Sequence, residues 1–151
     1  MSVTKQSSEA LAKRLAALPR EIVSKVQPAI RKSVEEVAAD AATLAEASRN
    51  TGSLVESIEA TGPNEATPAY ASEGGQRTAH DLQGFVTAGN PEARHGHLVE
   101  FGTAPRIRRD GSTTGTMPAL PFLLPAWRLN RTRVQRRINS AVNKAIREAS
   151  Q

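Results

Sequence analysis

The sequence predicts an α+β fold, in which a long kinked N-terminal helical region and a C-terminal helix pack on a small, mainly antiparallel sheet. Two stripes of apolar residues at helical spacing, one in the first third and one near the C-terminus, predict the helices. Short apolar runs bounded by turn residues predict the strands between them. A chain of 151 residues fits one compact domain, so we expect residues 1–151 to form a single domain.

The first third of the chain carries the longer helical pattern. An initial apolar face consists of Leu11, Leu15 and Leu18. After Pro19, which suits the first turn of a helix, a longer stripe follows i, i+3 and i+4 spacing. This stripe consists of Ile22, Val26, Ile30, Val34, Val37, Ala41 and Leu44. Pro28 lies inside the stripe and removes a backbone hydrogen bond, so we expect a kink near residues 24–27.

The middle of the chain carries strand and turn signals. Residues 54–59 fit a short helix or a strand, and the Thr-Gly-Pro-Asn turn that follows favours a strand at residues 57–60. A second strand is predicted at residues 84–88. Between these two, residues 68–80 fit another short strand, interrupted by a predicted turn at residues 73–76.

The last third begins with a polar loop and ends with a helix. Residues 104–116 contain three arginines, two glycines and four Ser or Thr without apolar periodicity, so we expect a flexible loop. Beyond it, starting at Phe122 or Pro125, an apolar stripe at i+4 spacing predicts a terminal helix of about six or seven turns. This stripe consists of Trp127, Val134, Ile138, Val142 and Ile146.

Positive charge is concentrated in the last third of the chain. The net charge is +5, and residues 100–151 hold ten Lys or Arg against three Asp or Glu. The terminal helix carries part of this charge on Arg131, Arg133, Arg136 and Arg137. A basic helix face can bind DNA phosphates or an acidic protein surface, and both hypotheses stay open. An aromatic content of 3% argues against a platform that stacks bases.

The sequence shows no arrangement of catalytic or cofactor-binding residues, so we expect no enzymatic activity and no cofactor. The absence of cysteine excludes disulfides and thiolate sites. His95 and His97 would share one side of a strand, but only Glu92 and Glu100 could add ligands, and we expect no metal site. No stretch approaches the roughly 18 apolar residues of a membrane span, so we expect no membrane partner.

Two motifs flank the polar loop. Val-Glu-Phe-Gly-Thr at residues 99–103 precedes it, and Met-Pro-Ala-Leu-Pro-Phe-Leu-Leu-Pro-Ala at residues 117–126 follows it. A third element, Thr-Gly-Ser-Leu-Val-Glu-Ser-Ile, occupies residues 51–58. In this order and before a terminal helix, the three resemble motifs of a minor tail or neck protein family of lambda-like long-tailed bacteriophages. The resemblance covers about residues 51–150, and His-Gly-His at residues 95–97 departs from the family's usual tyrosine and alanine.

The resemblance implies a structural virion protein at the head–tail junction. Its copies would form a ring, most simply a hexamer, that joins tail to head as a neck protein or a tail terminator and lets DNA pass. Its partners would be other copies of the chain, the connector or head-closure protein, the tail tube protein, and DNA in weak contact only. It would be assembled in the host cytoplasm and located in the tail or neck of the virion.

The residues around the polar loop are the predicted contacts with other subunits or partners. They are Glu100, Phe101, Arg106, Arg108, Arg109, Pro118, Pro121, Phe122 and Leu123. Val99 and Phe101 are also candidates to anchor a short element in the core. Glu100 could pair with an arginine or remain a solvated charge. Because the prolines hold the backbone extended, Phe122 either enters the core of its own subunit or anchors a neighbour.

Overall fold

The computed structural model describes residues 19–48, 52–70 and 75–150. Their helices and strands, in chain order, are α1 (Arg20–Ala45), α2 (Ser53–Glu56), β1 (Glu59–Thr61), β2 (Phe85–Thr87), α3 (Gly96–Phe101) and α4 (Leu123–Ala149). A short 3-10 turn, Glu46–Ser48, follows α1. The predicted α+β fold is confirmed. The apolar face predicted at Leu11, Leu15 and Leu18 and the first half of the turn predicted at residues 73–76 lie outside the described residues.

The two long helices, α1 and α4, pack against each other and form the frame of the fold. The side chains that α1 buries are Ile22, Val26, Ile30, Ser33, Val37, Ala38, Ala41 and Ala45. They follow the stripe predicted from the sequence, because residues three and four apart share one face of a helix. The helix is assigned without interruption through Pro28, which lies in its first half.

The buried face of α4 begins one residue earlier than the predicted stripe. Ala126 and Asn130 are fully buried, whereas Trp127 keeps 48% of its surface exposed. Asn130 is tolerated there because its amide Nδ2 donates hydrogen bonds to the Asp40 carboxylate on α1 and to the Ala126 carbonyl. Because successive residues of a helix point about 100° apart, Trp127 is turned away from the buried line of Ala126, Asn130 and Val134 and lies at the edge of the contact. The assignment of Trp127 to the buried stripe was therefore wrong.

The sheet consists of β1 and β2, paired antiparallel with Ala60 opposite Val86. Both predicted strands are confirmed, with β1 lying slightly later than expected. Residues 53–56 form helix α2 immediately before it, so this stretch contains both a short helix and a strand. The additional strand expected within residues 68–80 does not appear in the described part of that range, where Thr78 makes only an isolated bridge to Ala66.

Residues 95–97 begin a helix instead of forming a strand. His95 is the residue before α3, and His97 lies in its first turn. Both side chains are exposed. The expected placement of the two histidines on one side of a strand was therefore wrong.

Candidate subunit interface

Glu100 binds the start of α4 through its carboxylate. Its Oε2 accepts hydrogen bonds from the backbone N–H groups of Phe122 (2.7 Å) and Leu123 (3.0 Å), and its Oε1 accepts one from Leu124 (3.0 Å). The first N–H groups of a helix have no partner within the helix, and its positive end favours a carboxylate. Glu100 is 5% exposed. It therefore matches neither the arginine pair nor the solvated charge considered from the sequence.

Phe122 lies in the core of its own subunit. Its side chain is fully buried and belongs to an apolar cluster with Val37 of α1, Leu54 of α2, Val99 of α3 and Ala126 of α4. The ring of Phe122 thus contributes to a cluster that receives residues from all four helices. Of the two roles considered from the sequence, the structure shows the one inside the subunit.

The side chains next to this core remain on the surface. Phe101 is 70% exposed, so its expected role as a core anchor was wrong, whereas the same expectation for Val99 is confirmed. The difference arises because α3 is helical: Val99 and Glu100 are on its buried side and Phe101 is not. Pro118 and Pro121 are exposed, and Leu123 is half-buried.

Gly102 allows two chain segments to approach each other closely. Its φ is +72°, a conformation that residues with a side chain rarely adopt. A Cβ atom at this position would lie 2.8 Å from both the Ala119 nitrogen and the Met117 oxygen. The glycine of the Val-Glu-Phe-Gly-Thr motif is therefore needed for α3 to contact the segment that leads into α4.

Residues 103–117, which we call the arm, form an antiparallel hairpin. Isolated bridges join Thr103 to Met117 and Ile107 to Thr113. Near the tip, the N–H of Arg108 donates to the carbonyl of Ser112 at 2.7 Å. The sequence did not predict this hairpin. Because both faces of the arm are exposed, its residues do not alternate between apolar and polar. The flexibility expected for residues 104–116 stays a prediction.

The arm presents charged and apolar side chains to solvent. Every residue from 104 to 121 is exposed, including the predicted contact residues Arg106, Arg108 and Arg109. Ile107 is 80% exposed. At the tip, the Asp110 carboxylate accepts hydrogen bonds from the hydroxyl and the N–H of Ser112, which lower the pKa of Asp110.

The four arginines predicted as one basic face of α4 are in two different environments. Arg137 donates from Nη2 to both carboxylate oxygens of Glu36 (2.8 and 2.7 Å) and from Nη1 to Ser33 (3.1 Å). Arg133 lies 3.7 Å from the same carboxylate. Arg131 and Arg136 are exposed. Only this second pair has no acidic partner within the part of the chain that the structure describes.

The Arg137 guanidinium lowers the pKa of Glu36. Its hydrogen bonds are the main cause, with smaller electrostatic contributions from Arg137 itself, Arg133 and Lys32, while partial burial acts in the opposite direction. The ion pair connects α1 to α4 beside their buried faces. Arg137 therefore contributes to the packing of the subunit and is not a free cation.

An apolar groove of about 300 Å³ lies where α1, β2 and α4 meet. Its lining residues are Ser33, Val34, Val37, Gly84, Val86, Leu123, Leu124, Trp127 and Val134. Leu124 and Trp127 are both about half-exposed, which leaves apolar surface in contact with water. The sequence analysis missed this groove, although Leu124 and Trp127 at i, i+3 spacing, followed by Arg128 and Arg131, are a signal for an exposed apolar patch.

The described residues were also compared with the requirements for a metal site and for a membrane-spanning helix. Over residues 19–48, 52–70 and 75–150, no group of three or more His, Cys, Asp or Glu side chains is arranged to hold a metal ion. Over the same residues, every helix is too short or too polar to span a membrane.

Comparison with protein families gives one match. A family model described as "Bacteriophage HK97-gp10, putative tail-component" matches residues 9–102 of the chain. This range includes α1, the sheet and α3 with Glu100, and it ends immediately before the arm. Comparisons with curated proteins and with solved structures gave no match.

The contact between Glu100 and α4 predicts a large loss of stability on truncation. Glu100→Ala should lower the free energy of unfolding by about 2–4 kcal/mol, because each buried N–H group without a partner costs roughly 1–3 kcal/mol. Glu100→Gln, which keeps one oxygen, should have a smaller effect. Urea denaturation measures both, with the exposed Glu92→Ala as control. A Glu100→Ala variant as stable as the control would contradict the assignment.

Truncation of the two phenylalanines in the flanking motifs should change the free energy of unfolding by very different amounts. Phe122→Ala removes a fully buried ring, and we expect a loss of about 3–5 kcal/mol in the free energy of unfolding. Phe101→Ala truncates an exposed ring and should change it by less than about 0.5 kcal/mol. Thermal and urea unfolding of the two variants provide the comparison. Equal losses would show that the buried and exposed rings have been assigned incorrectly.

The ion pair of Glu36 predicts a specific dependence of stability on pH. Because the pKa of Glu36 is lowered in the folded protein, its contribution is complete above about pH 4.3, the ordinary value for glutamic acid, and is lost as the pH falls further. Glu36→Gln should therefore be less stable than the original protein at pH 7, and the difference should narrow towards pH 2.5. Urea midpoints across this range, with Glu92→Gln as control, test this; a constant difference would disprove it.

Proposed function

The chain belongs to the HK97-gp10-like family of bacteriophage tail components, and from this premise we propose that it forms a ring at the head–tail junction. Family membership makes it a structural component of the phage tail and therefore of the virion. The ring, as a neck protein or a tail terminator, joins the tail to the head and lets DNA pass. Its action is assembly, without catalysis, and it takes place in the host cytoplasm.

The exposed arm is the observation that carries this proposal. At about 3.3 Å per residue, a hairpin from Thr103 to its tip at Asp110 extends roughly 23 Å, more than the radius of gyration of about 15 Å expected for a 151-residue domain. Ordering so much chain costs conformational entropy. An arm whose residues 104–116 are all exposed is typical of a protein that buries them on assembly. Its partners are other copies of the chain and the adjacent connector, head-closure or tail tube proteins.

The exposed arginines of α4 support weak contact with DNA, not DNA binding as the primary function. Arg131 and Arg136 are available to phosphates, but Arg137 is held by Glu36 inside the subunit. Fewer free cations on the helix mean fewer phosphates neutralised and a weaker dependence of binding on salt. In the assembled ring, we expect Arg131 and Arg136 to meet acidic residues of an adjacent ring and to leave passing DNA only loosely bound.

Assembly of the purified protein tests the proposal. Sedimentation and negative-stain electron microscopy over a range of concentrations should show rings, with six copies as the expected number. Neighbouring connector and tail tube proteins should promote ring formation if the chain alone assembles weakly. A strict monomer at high concentration, even in the presence of both partner proteins, would contradict the proposal.

Reversal of the free arginines separates the ring from the DNA-binding alternative. In the Arg131→Glu/Arg136→Glu variant, the fold should persist while heads and tails fail to join, and packaged DNA should leak from the heads. Duplex DNA should bind the original subunit only weakly at physiological salt, as measured by fluorescence anisotropy. Submicromolar binding that falls steeply with salt, together with normal joining by the variant, would establish DNA binding as the function.

A further inference from the structure

We propose that one face of the arm contacts the phosphates of the DNA that passes through the ring. This face carries Arg106 and Arg108. The inference rests on the proposed passage of DNA through the ring, and it assigns the contact with DNA to the arm instead of to α4. The opposite face of the arm, which carries Ile107, remains available for contacts with other subunits.

The backbone of the arm places its side chains on two distinct faces. The N–H of Arg108 donates to the carbonyl of Ser112 at 2.7 Å. The N–H of Thr114 donates to the carbonyl of Arg106 at 2.9 Å. These two hydrogen bonds fix the register of the hairpin, and successive side chains of a strand point to opposite faces. Arg106 and Arg108 therefore lie on one face, and Ile107 between them lies on the other.

The face that carries the two arginines, which we call the basic face, has the composition of a phosphate-binding surface. It consists of Arg106, Arg108, Ser112 and Thr114, all of them polar and exposed. DNA phosphates are bound mainly by Arg and Lys, by Ser and Thr hydroxyls and by backbone N–H groups. The core of a protein–protein interface, in contrast, is apolar and depleted in charged residues. The basic face therefore fits DNA better than it fits a second protein.

The positive charge of the arm is not neutralised within the part of the chain that the structure describes. Arg106, Arg108 and Arg109 are exposed, and none of them forms an ion pair with a described acid. Asp110 is the only acid of the arm, and its Oδ1 accepts hydrogen bonds from the hydroxyl and the N–H of Ser112. Three arginines against one aspartate give the arm a net charge of +2. The arm is therefore a site for an anionic partner.

The two arginines of the basic face are placed to bind one duplex together, unlike the free arginines of α4. Arg106 and Arg108 are two residues apart on a strand, so their Cα atoms are about 6.7 Å apart and their side chains point the same way. Arg131 and Arg136 are five residues apart on a helix, so about 140° around the helix axis separates them. A duplex beside α4 therefore meets only one of this second pair.

Phosphate contacts of this kind suit DNA that has to pass through a ring. They position a protein on the duplex without carrying sequence information, so every stretch of a passing genome offers the same partners. Their strength falls steeply with salt, and two contacts from each copy give only weak binding at physiological salt. The basic face therefore supplies a loose contact that does not hold the DNA in one register.

The salt dependence of DNA binding tests the assignment. The Arg106→Ser/Arg108→Ser variant is compared with Arg131→Ser/Arg136→Ser, which removes the same charge from exposed positions on α4. Fluorescence anisotropy measures the affinity of each isolated subunit for duplex DNA between about 50 and 200 mM salt. The slope of log affinity against log salt should fall in magnitude by roughly 1.8 in the arm variant, because each phosphate contact contributes about 0.9. In the α4 variant it should fall by no more than about 0.9, the contribution of one contact.

Photo-crosslinking tests which face of the arm meets the DNA. The natural chain contains no cysteine, so each of two variants offers a single attachment point for an aryl azide. Ser112→Cys places the probe on the basic face, and Thr113→Cys places it on the face of Ile107. Both positions are exposed, so the melting temperature should stay unchanged. Irradiation with duplex DNA should give adducts mainly from Ser112→Cys, and equal yields from the two variants would overturn the inference.

The outcomes separate this inference from the proposed ring. An equal fall in slope for the two double variants, or no measurable DNA binding by the original chain at about 50 mM salt, would overturn the contact between the arm and DNA. An arm variant that loses binding to the connector or tail tube protein, with its DNA binding unchanged, would also overturn it. The expected slopes in a chain that forms no rings under any condition would refute the ring and still support the contact.

Discussion

The three hydrogen bonds from the start of α4 to the Glu100 carboxylate are the constraint on which the rest of the structure depends. Phe122, the residue before α4, provides no capping side chain of its own. The acceptors come instead from α3, more than twenty residues earlier in the chain. Because charge-assisted hydrogen bonds are short and directional, they determine where α4 begins relative to α3. The same contact joins the two segments that flank the arm, because Glu100 precedes residues 103–117 and Phe122 follows them.

The position of α4 decides which residues of the two motifs remain available to other molecules. Val99 and Phe122 are buried in the core, and Gly102 allows the chain to approach closely at the base of the arm. Phe101 and the arm remain outside. Because the base of the arm is held by contacts within the subunit, less of the chain has to be ordered when a partner binds, which reduces the entropic cost of assembly.

The folded structure changes the interpretation of the positive charge in the last third of the chain. From the sequence alone, the basic last third and the strongly basic isoelectric point suggest a surface that binds nucleic acid. In the folded subunit, Arg137 neutralises Glu36 between the two long helices, whereas the other arginines of the last third are exposed. The positive charge that is left is divided between α4 and the arm, which fits contacts with acidic protein surfaces as well as with DNA.

The sequence by itself determined the two long helices, the strand around Val86 and the relation to phage tail proteins, because periodicity and motifs are properties of neighbouring residues. Only the tertiary structure decided that Glu100 binds backbone amides distant in the chain and that Asn130 lies in the core while Trp127 borders a groove. It also revealed the hairpin in the arm, where two exposed faces leave no alternating pattern. In each case the reason is the same: these features depend on which faces of distant segments meet, and local spacing does not contain that information.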